Sequence, residues 1–439
     1  MKTISSAEVA AVLGYNGKVI DAEIGEVSTD SRKIDGRTLF VALKGEKFDG
    51  HDFIREVLDK GAPLAVAEHP VAGVDSERLI MADSTLEALG KLGQHNRRQF
   101  KGTVIALTGS SGKTTTKEEL KAALSRYAPT YATSGNFNNQ IGVPRSLLDM
   151  DMDARYAVIE AGMSARGEID YLTHLIEPDV AIVTNVYPMH IEFLGSLENI
   201  AHAKAEIFGG LRSGGIAIYN EDTAFAAILR QEAEKYAAKV YPFGKTHHSA
   251  AELQLADEAE HCRYNAWCVL TAVEALGLDV APAVEAINSF AAPEGRGSRH
   301  PLNIGGRHIL LIDDSYSGQP EAMKLAIHAL AKLPVKGRRI AVLGKMAELG
   351  DYSRQAHIEV GQALAAAQID AVVGVCAETK DMLAQLPAET EQYFFPTADG
   401  VADFLCDKLK DGDAVLIKGA HYSSQVFKVA AALKEFAEK

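Results

Sequence analysis

The stretch that decides the reading runs from Val104 to Leu120, VIALTGSSGKTTTKEEL. Its apolar opening reads as a buried parallel strand, its two glycines bracket a short polar loop, and Thr114 to Leu124 reads as a helix with charged residues along one side. A strand that feeds a helix through such a turn aims unpaired backbone N–H groups and the positive end of the helix dipole at one point, where an anion is favoured. Lys113 adds a full positive charge there, and the Thr114 hydroxyl is placed to meet a phosphate-bound magnesium. The expected phosphate contacts are therefore Gly109, Ser110, Ser111, Gly112, Lys113, Thr114 and Thr115. The loop is shorter between its glycines than the usual phosphate loop. A plain glycine-rich turn with a surface lysine is the competing reading; the ordered succession of strand, loop, lysine, hydroxyl and helix argues against it.

Outward from that stretch, the chain has 439 residues, too many for one ordinary core, and at about 150 residues per domain three domains are expected. Hydrophobic residues make up 47% of it, as in globular domains, and the formal net charge is −14. That balance repels a phosphodiester backbone and excludes nucleic acid as a partner, while any anionic ligand needs local cations. Four cysteines, Cys262, Cys268, Cys376 and Cys406, show no C-x-x-C spacing and lie in or beside apolar stretches. They read as buried thiols in a reducing compartment rather than as disulfides or zinc ligands. The beginning, MKTISSAEVAAVLG, has no long apolar run, and no window approaches a membrane span. A cytoplasmic protein without a membrane partner is expected.

Up to about Gln99 the apolar runs are short: TLFVALKG (Thr38 to Gly45), PLAVAEH (Pro63 to His69) and RLIMAD (Arg78 to Asp83). They predict a small mixed α/β domain. From there TVIALTG, YAVIEAG, DVAIVTNV, GIAIYN and AKVYPFG alternate with helical patterns, as parallel sheets require. A glycine-rich passage, Ala292 to Gly306, separates these from HILLIDDS, RRIAVLGKM, DAVVGVC and DAVLIKG, and the chain closes on a helical tail, SQVFKVAAALKEFAEK. The expected plan is an α/β protein of three domains, residues 1–99, 100–293 and 294–439, the second a P-loop parallel-sheet nucleotide domain.

Ligands of such sheets gather at the carboxyl ends of the strands. Glu160 ends one apolar run, and a carboxylate beside the lysine-bearing loop can complete a magnesium site or pair with a lysine. Asn185 ends the next. His190 lies just past that end and reads as a metal ligand or an ordinary loop residue. Lys204, within LENIAHAKAEIF, reads alone as a solvated helix lysine.

Together, TGSSGKTTTKE, SGNFNNQIGVPRSLL (Ser134 to Leu148), HIEFLGSLENIAHAKAEIF (His190 to Phe208), IDDSY and MAELG resemble the Mur ligases over almost the whole chain. At the N-terminus STDSR and LFVALKGEKFDGHDFI resemble the part that holds the uridine nucleotide of the substrate, which implies Ser31, Arg32, Asp49 and His51 as substrate-binding residues. The resemblance implies a UDP-binding domain, an ATPase domain and a Rossmann-like C-terminal domain that closes on both. Lys113, His190 and Lys204 would be catalytic, and Lys204 matches the lysine that carries a CO2 adduct, a carbamate. Thr114, Glu160, His190 and Lys204 would surround magnesium, with Asn138 near the γ-phosphate, Asn265 near adenine, and Arg296 and Asp314 touching the nucleotide from the C-terminal side. The implied cofactors are ATP and Mg2+. The implied partners are a UDP-linked muramoyl peptide and a D-amino-acid dipeptide or other amine, joined through an acyl phosphate by a monomer during peptidoglycan precursor synthesis.

Departures from the family pattern cluster late in the chain. SYSGQP (Ser315 to Pro320) stands where Ser-Tyr-Asn-Ala-Asn-Pro is usual, so Ser317 and Gln319 replace asparagines. Lys345 replaces an acid, and His421, in KGAHYSSQ, replaces an arginine suited to a carboxylate. The segment from Gly244 to His261 is shorter than the family's β-rich insertion. ATP-driven amide formation is expected. The amine stays open, since an anionic one loses a bidentate partner unless Arg299 or Lys345 supplies the charge. A paralogous ligase with a different amine and a non-catalytic nucleotide-binding homologue remain the other readings.

Overall fold

In the computed structural model, which describes residues 1–45, 48–189, 191–255 and 258–438, three main sheets follow one another along the chain. The first has four parallel strands in the order Glu26–Ser28, Thr38–Val41, Leu64–Ala67, Leu79–Met81, beside a two-stranded antiparallel ribbon of Ile4–Ser5 and Glu23–Ile24. Its two middle strands are buried throughout because helices cover both faces: Leu89 and Leu92 pack on one side, Ile54 and Val57 on the other. The helix Thr85–Gln99 also ties this sheet to the next. Its buried Arg97 donates from Nε to the Ile176 carbonyl at 2.7 Å and from Nη2 to the Glu177 carbonyl at 2.7 Å, capping the end of the helix Glu168–Ile176.

The central sheet has six parallel strands in the order Lys239–Phe243, Ile216–Asn220, Val180–Val183, Thr103–Thr108, Tyr156–Glu160, Thr130–Ala132. Thr103–Thr108 lies inside it, with Val104 and Ala106 facing one core layer and Ile105 and Leu107 the other. The chain continues to one side of this strand through Thr130–Ala132 and Tyr156–Glu160, then returns to its other side. That reversal opens a crevice at its carboxyl end, and the phosphate loop fills it.

The third sheet pairs Ser298–Ile304 antiparallel with Arg307–Asp314, then adds Ala414–Lys418, Arg339–Gly344, Ala371–Val375 and Glu391–Phe395, all parallel. Six strands go beyond the sequence reading: Ile4–Ser5, Glu23–Ile24, Glu26–Ser28, Thr130–Ala132, Glu391–Phe395 and Ser298–Ile304, the last lying in the passage read as a separator. Pro301 is accommodated because Ser298–Ile304 is an edge strand, and Gly305 and Gly306, with φ of 59° and 81°, make the tight turn of the hairpin. The cysteine reading also needs correction. All four are free thiols, but Cys268 alone is fully buried and Cys262, Cys376 and Cys406 are half-buried.

Candidate active site

The strand Thr103–Thr108 delivers Gly109, and the helix Lys113–Leu124 begins directly after Gly112. What lies between is held by the end of the neighbouring strand. Asn185 accepts from the Ser111 N–H at 2.8 Å and donates from its own amide to the Ser111 carbonyl at 2.9 Å, while the Thr184 hydroxyl donates to the same carbonyl at 3.1 Å. The Ser110 hydroxyl donates to the Tyr187 carbonyl at 3.0 Å and accepts from the Tyr187 N–H at 2.8 Å. Both glycines are needed: a Cβ at Gly109 would fall on the Thr184 hydroxyl, and Gly112 has a φ of 77° with Asn265 Oδ1 3.0 Å from where its Cβ would stand. Lys117, fully buried one turn into the helix, donates to the carbonyls of Thr133 (2.6 Å) and Gly135 (2.7 Å), fastening the loop that brings Asn138 into place.

Glu160 is buried at the end of its strand. Its Oε2 accepts from the Thr114 hydroxyl at 3.0 Å and its Oε1 from the Asn138 amide at 2.7 Å, so three expected site residues meet on one carboxylate. Lys113 Nζ donates to the Gly109 carbonyl at 2.8 Å. Burial pushes its ammonium down, Glu160 pulls it back up, and Arg296 pushes it down again. Lys204 is not the solvated lysine its local sequence suggested; it is 2% exposed on the helix Leu197–Ala205. Burial drives its ammonium well below the ordinary range, and the charge of Lys113 acts in the same direction. His190 lies outside the described residues.

Two cavities adjoin the loop. The first, of about 230 Å³, is lined by Ser111, Gly112 and Thr115, by Tyr264 and Asn265 on the helix Glu260–Ala275, and across from them by Arg296, Asp314 and Lys418. The central and C-terminal sheets thus share one cavity, and the expected positions Asn265, Arg296 and Asp314 come together in it. The second, of about 480 Å³, is lined by Lys113, Asn138, Gly162 and Met189, and by Leu86 from the helix that leaves the N-terminal sheet. Among the N-terminal positions, Asp49 Oδ1 accepts from the backbone N–H of His51 at 3.0 Å and contacts its Nδ1 at 2.6 Å, while His51 Nε2 accepts from the Glu68 N–H at 2.9 Å. His51 is buried with both ring nitrogens engaged. Arg32 is exposed, in a two-point pair with Asp30 at 2.8 and 2.9 Å, and the Ser31 carbonyl accepts from Lys60 Nζ at 3.1 Å.

Sequence reasoning missed Lys418, which is buried and bonds Asp314 Oδ2 at 2.6 Å. The signal was present: like Glu160 and Asp314, it is a charged residue closing an apolar strand. The late departures also prove to be neighbours. The Ala420 N–H donates to the Lys345 carbonyl at 3.0 Å, and a Cβ at Gly318 would stand 2.6 Å from the Ala420 nitrogen. His421 stacks on Tyr316 and on Phe427, with centroids 5.0 and 4.3 Å apart.

Comparison with known proteins agrees with this geometry. The family described as the Mur ligase family, catalytic domain, matches residues 23–97; the Mur ligase middle domain matches 107–289; and the Mur ligase, glutamate ligase domain, matches 302–421. The UDP-N-acetylmuramoyl-tripeptide–D-alanyl-D-alanine ligase of Escherichia coli is 35% identical, covering 93% of this chain and 91% of its own. Its namesake from Rickettsia prowazekii is 32% identical over 92% and 97%. A crystal structure of MurF from Acinetobacter baumannii superposes with a TM-score of 0.89 at 31% identity over 99% of both chains. MurF from Thermotoga maritima in complex with ADP gives a TM-score of 0.82 at 28% identity, over 94% of this chain and 98% of that one. By sequence, domain order and fold, the chain belongs to the Mur ligase family.

Proposed function

We propose that this protein is the cytoplasmic, ADP-forming ligase that joins D-alanyl-D-alanine to a UDP-N-acetylmuramoyl-tripeptide in peptidoglycan precursor synthesis. The observation that carries the reading is that the phosphate loop and the start of its helix border two cavities: Ser111, Gly112 and Thr115 line one with C-terminal cations, and Lys113 lines the other, which reaches the N-terminal domain. Residues 1–99 then hold the UDP end, with Arg32, Ser31 and Asp49 facing substrate and His51 fixing Asp49. Residues 100–293 bind ATP, and residues 294–439 close on both.

A carboxylate oxygen of the tripeptide attacks the γ-phosphorus, the bond to ADP breaks, and an acyl phosphate forms. The amine nitrogen then attacks the acyl carbon, phosphate leaves, and the nitrogen loses a proton. Lys113 and Arg296 neutralise the transferring phosphoryl group, Asn138 orients it, and Asn265 holds the base. The Thr114 hydroxyl and the Glu160 carboxylate are the hard oxygen donors that magnesium accepts, so the donor set fits that ion, which when bound neutralises phosphate charge. Lys204 supports the carbamate reading, because a lysine driven toward its neutral amine is in the form that adds CO2, and the product offers oxygens in place of a cation.

The test supplies ATP, magnesium, UDP-muramoyl-tripeptide and a panel of amines, and follows phosphate release and new amide by mass spectrometry. Amide formed with D-alanyl-D-alanine supports the reading. Amide formed only with another amine makes this a paralogous ligase, which the packing of His421 between two rings favours. Nucleotide binding without either product makes it non-catalytic.

A further inference from the structure

Arg296 reaches the nucleotide cavity from a loop poorly suited to holding it still. It is flanked by Gly295 and Gly297, with φ of 71° and 89°, in the connection between the central and C-terminal sheets. Besides the backbone bonds from the Tyr316 N–H to the Gly295 carbonyl and from the Arg296 N–H to the Pro293 carbonyl, both 3.0 Å, two sets of side-chain contacts reach that loop, and both lead to the last helix, Phe427–Ala437. On one side Lys434 Nζ bonds Glu294 Oε1 and, at 2.7 Å, Asp313 Oδ2, while Asp313 receives the Gly297 N–H on its backbone carbonyl at 2.8 Å. Ser298 Oγ and His300 Nε2 approach Glu294 Oε2 at 3.4 and 3.3 Å. Glu294, His300 and Asp313 could pass for a metal-ligand group, but the cation bonded to two of them is Lys434. On the other side four flat groups stack in series. The Arg296 guanidinium lies 3.7 Å from the centre of the Tyr316 ring, Tyr316 stacks on His421 with 26° between planes, and His421 stacks on Phe427 with 23° between planes. Phe427 is the first residue of the same helix.

We propose that the C-terminal helix is a clamp that holds Arg296 against the nucleotide, with His421 and Lys434 as positioning residues acting through the stack and the ion pair. The proposal rests on the nucleotide reading of the cavity. It assigns His421 a purpose that its departure from the family arginine left open: a flat ring of the right thickness between Tyr316 and Phe427.

The test is a double-mutant cycle read by ATP affinity, from calorimetry, and by steady-state constants. His421→Ala and Lys434→Met should each raise the Kd and KM for ATP about threefold to tenfold, as expected for a released cation–π contact or ion pair. The constants for the two peptide substrates should stay unchanged. His421→Phe and Lys434→Arg should restore ATP affinity. In an Arg296→Met background neither alanine nor methionine variant should weaken ATP further. Equal weakening with and without Arg296, or no weakening at all, overturns the clamp. Unmodified protein that fails to bind ATP in the same calorimeter overturns the nucleotide reading and the clamp together.

Discussion

The central and C-terminal domains both bring polar groups to one cavity, and apart from the Lys418–Asp314 ion pair at 2.6 Å the C-terminal side holds its groups by different means. On the central side, Asn185 grips both backbone groups of Ser111, Ser110 and Tyr187 exchange two hydrogen bonds, and Glu160 receives Thr114 and Asn138 on its two oxygens. These are short, directional contacts, and a changed side chain leaves a polar group orphaned. On the C-terminal side Arg296 lies on a ring and His421 between rings. Stacking surfaces accept any flat group of similar size, and one departure from the family pattern, His421, lies among them. The site is thus strict where directional bonds grip the loop and Glu160, and more permissive where rings stack.

The sharpest break of that contrast is Lys113→Ala. With its ammonium gone, ATP-dependent ligation should fall by about three or more powers of ten while the fold persists. Unchanged turnover in a purified variant with an unaltered circular dichroism spectrum would remove the loop from the reaction. Lys204→Ala should cost somewhat less, on the order of a hundredfold or more, if an oxygen-bearing adduct is needed there. Small carboxylates added to that variant should recover part of the rate, whereas Lys204→Arg should recover none. A fully active arginine variant would return Lys204 to a structural role.

The smallest effect concerns stability. Glu119 is buried one turn beyond Thr115, and burial pushes its carboxyl up to about 8. Buried Asp413 in the C-terminal domain instead meets Arg338 Nη2 at 2.8 Å. A carboxyl raised on folding stabilises most fully below its unfolded value of 4.5, and that contribution drains away as pH climbs toward about 8. Glu119→Gln should flatten this slope, changing the difference in unfolding free energy from the parent by a few kcal/mol across the window, in favour of the variant at high pH. Parallel stability–pH curves from urea titrations would show that Glu119 is not the group responsible.

What could be read without coordinates follows from how local each signal is. Strand, glycine loop, lysine and helix occupy adjacent positions, so the strand–loop–helix unit was legible from Val104 to Leu120. Glu160 stood out because a carboxylate closing an apolar run beside the loop is unusual, whereas Asp314 was reached only through the family resemblance of IDDSY. Lys418 gave the same signal, but its partner Asp314 is 104 positions away, and no spacing rule reaches that far. Lys204 misled because its immediate neighbours are those of an ordinary amphipathic helix; only the packed tertiary structure buries it. Glu391–Phe395 escaped because it is an edge strand with few fully apolar positions, and Ser298–Ile304 because a proline and nearby glycines resemble a loop.

The close approach of Gly318 to Ala420 couples two segments that lie about a hundred residues apart in the chain. With 2.6 Å between the Ala420 nitrogen and the place where a Cβ would stand, an alanine introduced at 318 alone collides with backbone rather than with a yielding side chain. Placing the usual family motif in the first segment therefore requires the backbone of the second to shift with it. A graft that places alanine at 318 has to carry a shifted backbone at 419 and 420 with it.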